Sequence, residues 1–473
     1  MALSAGGSST RDGWSSRSAF VLAAIGSAVG LGNLVRFPAE AGENGGGAFV
    51  LFYIGCVVLI GFPILLSETL IGRYGQSSAP DSFRKVAEAS RASPAWEWVA
   101  TLGVLAGFLI LSYYCVIGGW VVDYIWLFLR DIVQSGLAGG AFAGQPSEQI
   151  EGLFPAMISD GQTAILFGFI FLALTFLFVV RGVSGGIEKA ATWMMPAFFI
   201  LLAGITIYGA SSGSFGQAVS YLFSFEPEKL TGPVMLAAVG QAFYSLSLGV
   251  VAMVTYGAYV GRNVNLAGTS AAIAMADTSV ALIAGLCIFP IVIGAGLEPG
   301  GGLGLMFQTL PHAFQEMPAG ALIGLAFFIM VGFAALTSSI SLMEVPVAWL
   351  IDRYRFTRTV AAIIVTLAAA GLGVLCALST GSMADFHPLG FIPLFEGQGT
   401  LDALDTLTGK VMMPVGAILT AIFVGWIAER RLVDAETGLG GLPHFVWRML
   451  IRFACPVALV LILLIGLFPS IFE

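Results

Sequence analysis

Long apolar stretches are the feature of this sequence that most constrains its fold. A helix needs roughly 17–25 apolar residues to cross the hydrocarbon core of a bilayer, and eleven stretches of about this length or longer follow one another along the chain. They lie near residues 18–38, 48–71, 98–128, 163–180, 190–211, 234–256, 271–294, 319–349, 359–378, 411–427 and 453–470. We therefore predict an all-α polytopic membrane protein with 11 transmembrane helices.

The composition agrees with this class and excludes others. Hydrophobic residues make up 58% of the 473 residues and charged residues only 10%, whereas soluble domains carry about 25% charged residues. A soluble enzyme, a nucleic-acid binder and a disordered protein are thereby excluded. The net charge of −8 also argues against a polybasic role at lipid or nucleic-acid surfaces. All five cysteines lie in apolar stretches without metal-ligand spacing, which indicates buried small side chains.

The basic residues predict an orientation in the inner (plasma) membrane. With a cytoplasmic N-terminus, all but four of the 20 lysines and arginines fall on the cytoplasmic side, as basic loop residues prefer. The four exceptions are Arg36, Arg130, Lys229 and Lys410. An odd number of spans then places the C-terminus outside.

Two predicted spans contain glycine and polar residues that a lipid-facing helix would not favour. Residues 26–33 read GSAVGLGN in the first span, and residues 241–249 read QAFYSLSLG in the sixth. Glycine costs about 1 kcal/mol in a helix interior, and unwound backbone is tolerated in a bilayer only where it lines a cavity. We expect both helices to break at one shared site, with carbonyls for cations and N–H groups for an anion. Close helix packing is the alternative explanation of the glycines.

The five-span separation of these breaks predicts two inverted repeats. The expected units are a cytoplasmic segment at residues 1–17, a first five-helix repeat at 18–211, a second repeat at 212–428 with helices 6 to 10, and an eleventh helix at 429–473. The two longer connections, 131–160 and 379–406, are expected to be surface loops.

Other polar residues in the spans could face the same site. Asp277 in the seventh span would cost about 2.5–3.5 kcal/mol at the centre of a membrane helix, so it requires a partner. The available oxygen donors suit hard cations, and no histidine or cysteine cluster suits a transition metal. No catalytic motif is present, and we expect no enzymatic activity.

Three sequence strings resemble one family. AVGLGN with RFP at residues 28–38, ENGGGAF at 43–49 and LTSS at 336–339 are similar to motifs of the neurotransmitter:sodium symporter family, in particular its bacterial, leucine-transporter-like amino-acid transporters. The resemblance extends from about Arg11 to Asp405. It implies the leucine-transporter fold, a 5+5 inverted repeat with discontinuous helices 1 and 6, and sodium-coupled amino-acid symport by alternating access.

The resemblance also implies two co-transported sodium ions, each bound by oxygen atoms as a hard cation requires. The first ion site comprises Ala28, Asn33, Ser245 and Asp277, together with the carboxylate of the substrate. The second comprises the carbonyls of Gly26, Val29 and Ala334 and the hydroxyls of Thr337 and Ser338.

The implied substrate site combines main-chain groups for a zwitterion with an apolar pocket. The substrate carboxylate would meet the N–H groups of Leu31 and Gly32 and the Tyr114 hydroxyl. The amino group would meet the carbonyls of Ala28 and Tyr244, and the Tyr244 ring would cover the site. The side-chain pocket comprises Ile110, Tyr244, Ser247, Val250, Val251, Ser338 and Leu342.

Departures from the family pattern narrow the substrate. Monoamine carriers have an aspartate where this chain has Gly30, so a ligand that brings its own carboxylate is favoured. The mostly apolar pocket predicts neutral amino acids with small to medium hydrophobic side chains. Chloride-dependent members have an asparagine and then a serine where this chain has Asp277 and Ala281. A permanent negative charge at Asp277 predicts chloride independence.

Charged residues at both ends of the site are expected to act as gates. By the resemblance, Arg36 and Asp405 would close the outer side, and Arg11 and Asp352, helped by Tyr259, would close the cytoplasmic side. Two alternatives stay open. Arg36 could be an arginine that snorkels to the membrane interface, and Asp405 could be an ordinary loop carboxylate.

Other transport modes stay open at this stage. A proton-coupled amino-acid carrier is possible if Asp277 titrates, and a sodium-dependent transporter of another small zwitterion is a further alternative. A channel is disfavoured because the polar residues concentrate at the midplane, and a receptor because little sequence is left for an output domain. The expected partners are an amino acid, sodium ions and the lipid bilayer, with no nucleic acid and no essential protein partner.

Overall fold

The computed structural model describes residues 13–137, 139–211, 213–297 and 302–468, and the regular secondary structure of these residues is helical throughout. Nine helices among them are long and apolar enough to cross a membrane. They are Gly47–Gly75 (span 2), Pro94–Ser135 (span 3), Gly161–Val179 (span 4), Val183–Ala210 (span 5), Leu266–Gly294 (span 7), Gly320–Tyr354 (span 8), Arg358–Leu378 (span 9), Thr400–Ile427 (span 10) and Gly441–Leu467 (span 11).

The two remaining predicted spans are helical but interrupted. Span 1 consists of Arg17–Ala28 and Gly32–Glu43, which meet at an angle of 52°. Span 6 consists of Gly232–Ser245 and the short helix Ala252–Gly257. Each of the eleven predicted stretches is therefore helical in the described residues, and the all-α polytopic class is confirmed.

Shorter helices lie in the connections between the spans. They are Ala79–Ala89, Ser147–Glu151, Leu153–Ser159, Phe215–Phe223, Pro227–Lys229, Leu305–Thr309, Leu310–Gln315, Pro393–Phe395 and Arg430–Thr437. Several of the spans also extend beyond the predicted apolar stretch. The largest extensions are at the start of span 10, where residues 400–406 are helix rather than loop, and at the start of span 11. Charged residues at these helix ends lower the local hydrophobicity, so the predicted apolar stretches stop short of the helix ends, but they do not prevent helix formation.

The break in span 6 depends on backbone that a regular helix cannot accommodate. Ser247, Gly249 and Val251 have φ values of 50°, 84° and 51°, which lie in the left-handed region. A Cβ atom at Gly249 would come within 2.3 Å of the carbonyl oxygen of Met413 in span 10, so only glycine fits there. The freed N–H of Gly249 donates to the buried Glu68 carboxylate of span 2 at 2.7 Å, which satisfies this donor inside the protein.

Spans 3, 5, 7 and 8 surround the first break. The helix Arg17–Ala28 packs against spans 5, 7 and 8, and span 8 packs along span 3. This arrangement places the interrupted backbone of spans 1 and 6 inside the helix bundle, away from the lipid-facing surface, as unwound membrane helices require.

Candidate functional site

A cavity of about 50 Å³ lies between the two helix breaks. Eleven of the twelve residues predicted to bind the substrate line it. They are Ala28, Gly30, Leu31, Gly32, Ile110, Tyr114, Tyr244, Ser247, Val250, Ser338 and Leu342. Spans 1, 3, 6 and 8 therefore supply the walls that the sequence predicts.

Val251 is the predicted residue that does not border this cavity. Its left-handed backbone turns the side chain towards span 3, where a Cβ atom at Gly103 would lie only 2.8 Å from Val251 Cγ1. In its place, Met413 of span 10 lines the cavity, although nothing in the sequence pattern marks that methionine. Ser27, Ser245, Ala252 and Ser341 also line the cavity.

Polar groups converge at one end of the cavity, beside Gly30. A Cβ atom at Gly30 would approach Ser338 Oγ to 2.6 Å and Tyr114 Oη to 3.2 Å, so no side chain fits there without displacing them. Among the described residues, the buried Tyr114 hydroxyl has no hydrogen-bond partner of ordinary geometry, and it lies near Leu31 and Ser338. This end can therefore offer hydroxyl and main-chain groups to a charged or polar ligand.

The first predicted ion site forms a buried polar cluster. The amide nitrogen of Asn33 donates to Asp277 Oδ1 at 2.7 Å and to Ser245 Oγ at 2.9 Å, and Ser245 Oγ donates to Asp277 Oδ2 at 2.7 Å. The N–H of Gly30 donates to Asn33 Oδ1 at 3.0 Å. Asn33 and Asp277 are fully buried. An ionised carboxylate in such a place needs a cation or strong hydrogen bonds, and the surrounding oxygens are of the type that hard cations prefer.

The second predicted ion site lies where span 8 meets the end of Arg17–Ala28. Ser338 Oγ donates to the carbonyl of Val29 at 3.1 Å and lies 3.4 Å from that of Gly26. Thr337 Oγ1 lies 3.1 Å from the carbonyl of Ala334, and a Cβ atom at Gly26 would lie 3.2 Å from Thr337 Cβ. The five predicted residues therefore come together, and each contributes an oxygen atom.

Arg36 and Asp405 both line a second cavity of about 360 Å³ next to the first. They form no ion pair within 4.0 Å in the described part of the chain. Instead, Arg36 pairs with Glu40 at 3.4 Å and stacks its guanidinium 4.3 Å from the centre of the Tyr244 ring. Asp405 accepts hydrogen bonds from Tyr113 at 3.0 Å and from Tyr244 at 3.4 Å.

Tyr244 borders both cavities, so its ring separates them. Its position explains why the two predicted gate charges do not meet: the ring stands between them and interacts with each. A ligand that moved from the outer cavity to the inner one would have to displace this ring.

The opposite end of the molecule is closed by several contacts. Asp352 accepts the N–H of Ser78 at 2.6 Å, and the Tyr259 hydroxyl donates to the buried Glu344 at 2.7 Å. Glu344 in turn pairs with Arg358 at 2.7 Å. Arg11, the predicted partner of Asp352, lies outside the described residues.

Trp14 adds a contact here that sequence reasoning missed. Its indole N–H donates to the carbonyl of Tyr256 at 3.2 Å, and its ring packs against the Tyr256 ring with centroids 5.2 Å apart. No sequence signal distinguishes this tryptophan. Glu68 and Glu344 were also missed, but each is a carboxylate in a predicted span and was therefore detectable.

Comparisons with known proteins agree with this geometry. The family model described as the sodium:neurotransmitter symporter family matches residues 11–133 and 162–470. The chain is 36% identical over 460 residues to the uncharacterized sodium-dependent transporter YhdH of Bacillus subtilis, covering 95% of this chain and 96% of that one. It is 24% identical over 384 residues to a sodium- and chloride-dependent betaine transporter of Caenorhabditis elegans, covering 71% of this chain and 62% of the relative.

A solved structure is similar over nearly the whole chain. The crystal structure of MhsT in complex with L-phenylalanine matches with a TM-score of 0.85 and 38% identity, covering 96% of this chain and 100% of the other. The family and these relatives are transporters rather than enzymes, and the family is sodium-dependent. The chain is a multi-pass membrane protein that belongs to the sodium:neurotransmitter symporter family.

Proposed function

We propose that this protein is a sodium-coupled symporter of neutral L-amino acids with small to medium hydrophobic side chains. The observation that carries the proposal is the cavity between the helix breaks, which is polar beside Gly30 and Tyr114 and apolar beside Ile110, Val250 and Leu342. An amino acid matches both ends of this cavity, because its charged amino and carboxylate groups suit the polar end and its apolar side chain suits the other. The crystal structure of MhsT with L-phenylalanine supports this substrate class and makes phenylalanine one of the first ligands to test.

We also propose that two sodium ions accompany each substrate. The first binds at Asn33, Ser245 and Asp277, where the partners of the buried carboxylate among the described residues are neutral. The second binds beside Thr337 and Ser338, where main-chain carbonyls face the two hydroxyls. Ala28 completes the first set, and Gly26, Val29 and Ala334 complete the second.

The coupling is strong enough to concentrate a substrate. One charge moving through 100 mV releases about 2.3 kcal/mol, so two ions release about 4.6 kcal/mol. At about 1.4 kcal/mol per factor of ten, the voltage alone supports a roughly 1,000-fold gradient of a neutral zwitterion. The sodium concentration gradient adds to this.

Alternating access is part of the proposal, and the contacts at the two ends of the site support it. The proposed orientation has a cytoplasmic N-terminus in the inner membrane, with repeats at residues 18–211 and 212–428. Opening the Tyr244 ring then admits substrate from outside, while the contacts of Trp14 and Asp352 keep the cytoplasmic side closed. Release of the substrate into the cytoplasm requires that the Tyr244 ring close and that the contacts of Trp14 and Asp352 open.

Chloride independence is the third part of the proposal. Asp277 supplies a fixed negative charge beside the ion sites, and the buried Ala281 one turn later offers no hydroxyl to an anion. The relative named as chloride-dependent is the more distant one. Uptake should be unchanged when gluconate replaces chloride, and a large loss of uptake would contradict this part.

Proton coupling is a second candidate, because the buried Asp277 is hydrogen-bonded to the neutral side chains of Asn33 and Ser245. In that case a pH gradient without sodium would drive uptake. Sodium-coupled symport predicts no uptake under the same conditions.

The decisive test is uptake of labelled amino acids into proteoliposomes with an inward sodium gradient and with choline in its place. Leucine, phenylalanine, glutamate and lysine separate hydrophobic from charged substrates. Thr337→Ala should abolish sodium-driven uptake. Thr366→Ala is the matched control, because its hydroxyl donates to its own helix at Ala362 and lies away from the site. Equal uptake in sodium and in choline would refute the proposal.

A further inference from the structure

A group of basic side chains surrounds one carboxylate where span 10 connects to span 11. We call Arg430, His444, Arg448 and Arg452, together with Asp434, the span 10–11 arginine cluster. Asp434 lies 3.6 Å from Arg430 Nε, 3.1 Å from His444 Nε2 and 3.7 Å from Arg448 Nη1. Two arginines and a histidine therefore share a single carboxylate, and Arg452 lies near enough to Arg448 to add to the excess of positive charge.

Two basic members of this cluster, Arg448 and His444, have no hydrogen bond of acceptable geometry within the described residues. The Arg448 side chain is only 12% exposed, yet its one contact with an acceptor is the 3.7 Å distance to Asp434, which is too long for a hydrogen bond. Both ring nitrogens of His444, and Asp434 Oδ1, are buried without a hydrogen bond of acceptable geometry, although His444 Nε2 and Asp434 Oδ1 lie only 3.1 Å apart. Buried donors in native proteins nearly always have an acceptor, and Arg430 and Arg452 are close enough to repel Arg448. The excess positive charge and the long distance from Arg448 to Asp434 together favour a further anionic acceptor beside Arg448.

An exposed aromatic surface continues from the cluster along spans 10 and 11. The Arg452 guanidinium lies 5.1 Å from the centre of the Trp426 ring, and Arg452 Nε donates to the carbonyl of Gly425 at 2.6 Å. Trp426 is 53% exposed and Phe453 is 52% exposed, with their rings edge to face at 5.4 Å. Aromatic side chains of this kind are typical of the membrane interface, where they meet both headgroups and acyl chains.

We propose that the span 10–11 arginine cluster binds the phosphate of an anionic phospholipid, whose acyl chains lie along Trp426 and Phe453. Guanidinium groups match phosphate geometry and donate hydrogen bonds to two of its oxygens at once. Basic pockets between membrane helices bind lipid headgroups in the same way. A free phosphate would satisfy the arginines equally well, but it would leave the adjoining aromatic surface without a role.

The test counts lipids retained by the purified full-length protein in native mass spectrometry, after exchange with phosphatidylglycerol or phosphatidylcholine. The wild type should retain one phosphatidylglycerol molecule under conditions that remove phosphatidylcholine. Each basic residue near a membrane contributes about a fivefold preference for an anionic lipid, so Arg448→Gln with Arg452→Gln should bind phosphatidylglycerol about 30-fold more weakly. Arg353→Gln, which removes an exposed arginine from the last turn of span 8, is the matched control and should bind as the wild type does.

Three results would overturn the proposal. They are equal retention of both lipids by the wild type, equal loss in Arg353→Gln, and displacement of phosphatidylglycerol by inorganic phosphate alone. If the double variant does not fold, Arg430→Gln at a 71% exposed side chain provides a milder change, with binding expected to be about fivefold weaker. Unaltered binding in that variant would also overturn the proposal. None of these measurements depends on transport, so a failure here is distinguishable from a failure of the proposed function.

Discussion

Replacing Asn33 by alanine perturbs the first ion site in a way that can be worked out from distances. The substitution removes an amide that donates to Asp277 at 2.7 Å and to Ser245 at 2.9 Å. It also deprives the N–H of Gly30 of its acceptor. Losing these donors would by itself leave the Asp277 carboxylate freer to bind a cation, so the weakening comes from the loss of the Asn33 amide oxygen, which is the proposed sodium ligand. A contact of this kind to a charged group is worth about 1.5–3 kcal/mol, and about 1.4 kcal/mol corresponds to a factor of ten. We therefore expect sodium to bind about 10–100 times more weakly in Asn33→Ala.

The assay is sodium-dependent binding of a labelled amino acid to purified protein, from which the half-saturating sodium concentration is read. Asn265→Ala is the matched control, because Asn265 is exposed and caps the start of span 7 by accepting the N–H of Gly268 at 3.0 Å. Its loss should cost about 1 kcal/mol of stability without changing sodium affinity. An unchanged sodium requirement in Asn33→Ala would refute the reasoning. An equal shift in Asn265→Ala would refute it too, because the effect would then come from stability.

Three further predictions concern the surroundings of the site. Gly249→Ala should lower the free energy of unfolding by at least about 1–3 kcal/mol through its left-handed backbone alone, and it should abolish substrate binding. Gly371→Ala is the control, because a side chain there meets open space, and it should impair neither the unfolding midpoint nor substrate binding. Tyr114→Phe should leave the thermal midpoint of the ligand-free protein unchanged or higher, because the hydroxyl makes no hydrogen bond of ordinary geometry with the described residues. Substrate affinity should fall about fivefold to tenfold, and unchanged affinity would contradict this. Arg358→Gln should lower the free energy of unfolding by about 3–5 kcal/mol by leaving Glu344 unpaired, and adding Glu344→Gln should restore part of it in the same unfolding measurement.

The helix breaks could be predicted because their signal is local. Glycine and polar residues within an apolar stretch can be recognised in each span separately, without knowledge of the other spans. The structure confirms interruptions at residues 29–31 and 246–251. The clusters around Asn33 and Thr337 follow from the resemblance together with oxygen chemistry, and the predicted residues lie together as expected.

The remaining features depend on contacts between distant parts of the chain. Met413 reaches the cavity only because span 10 packs against Gly249, and Trp14 matters only because the segment before span 1 folds back onto Tyr256. Val251 has the right residue type for a pocket wall, but its left-handed backbone points it elsewhere. No periodicity or composition encodes such positions.

The Tyr244 ring is held by opposite charges on its two sides, Arg36 and Asp405, and this affects the rate at which a substrate can enter the inner cavity. Swinging the ring aside must break a cation–π contact, worth about 0.5–1 kcal/mol at an exposed site, and a long hydrogen bond worth about 0.5–1.5 kcal/mol. Together these contacts are worth about 1–2.5 kcal/mol. At about 1.4 kcal/mol per factor of ten, the ring is displaced in about 2–15% of molecules at any moment. The rate of substrate entry should therefore be limited by how often a substrate molecule meets the protein with its Tyr244 ring displaced. Removing the charge of Arg36 or Asp405 should increase the rates of substrate binding and release together.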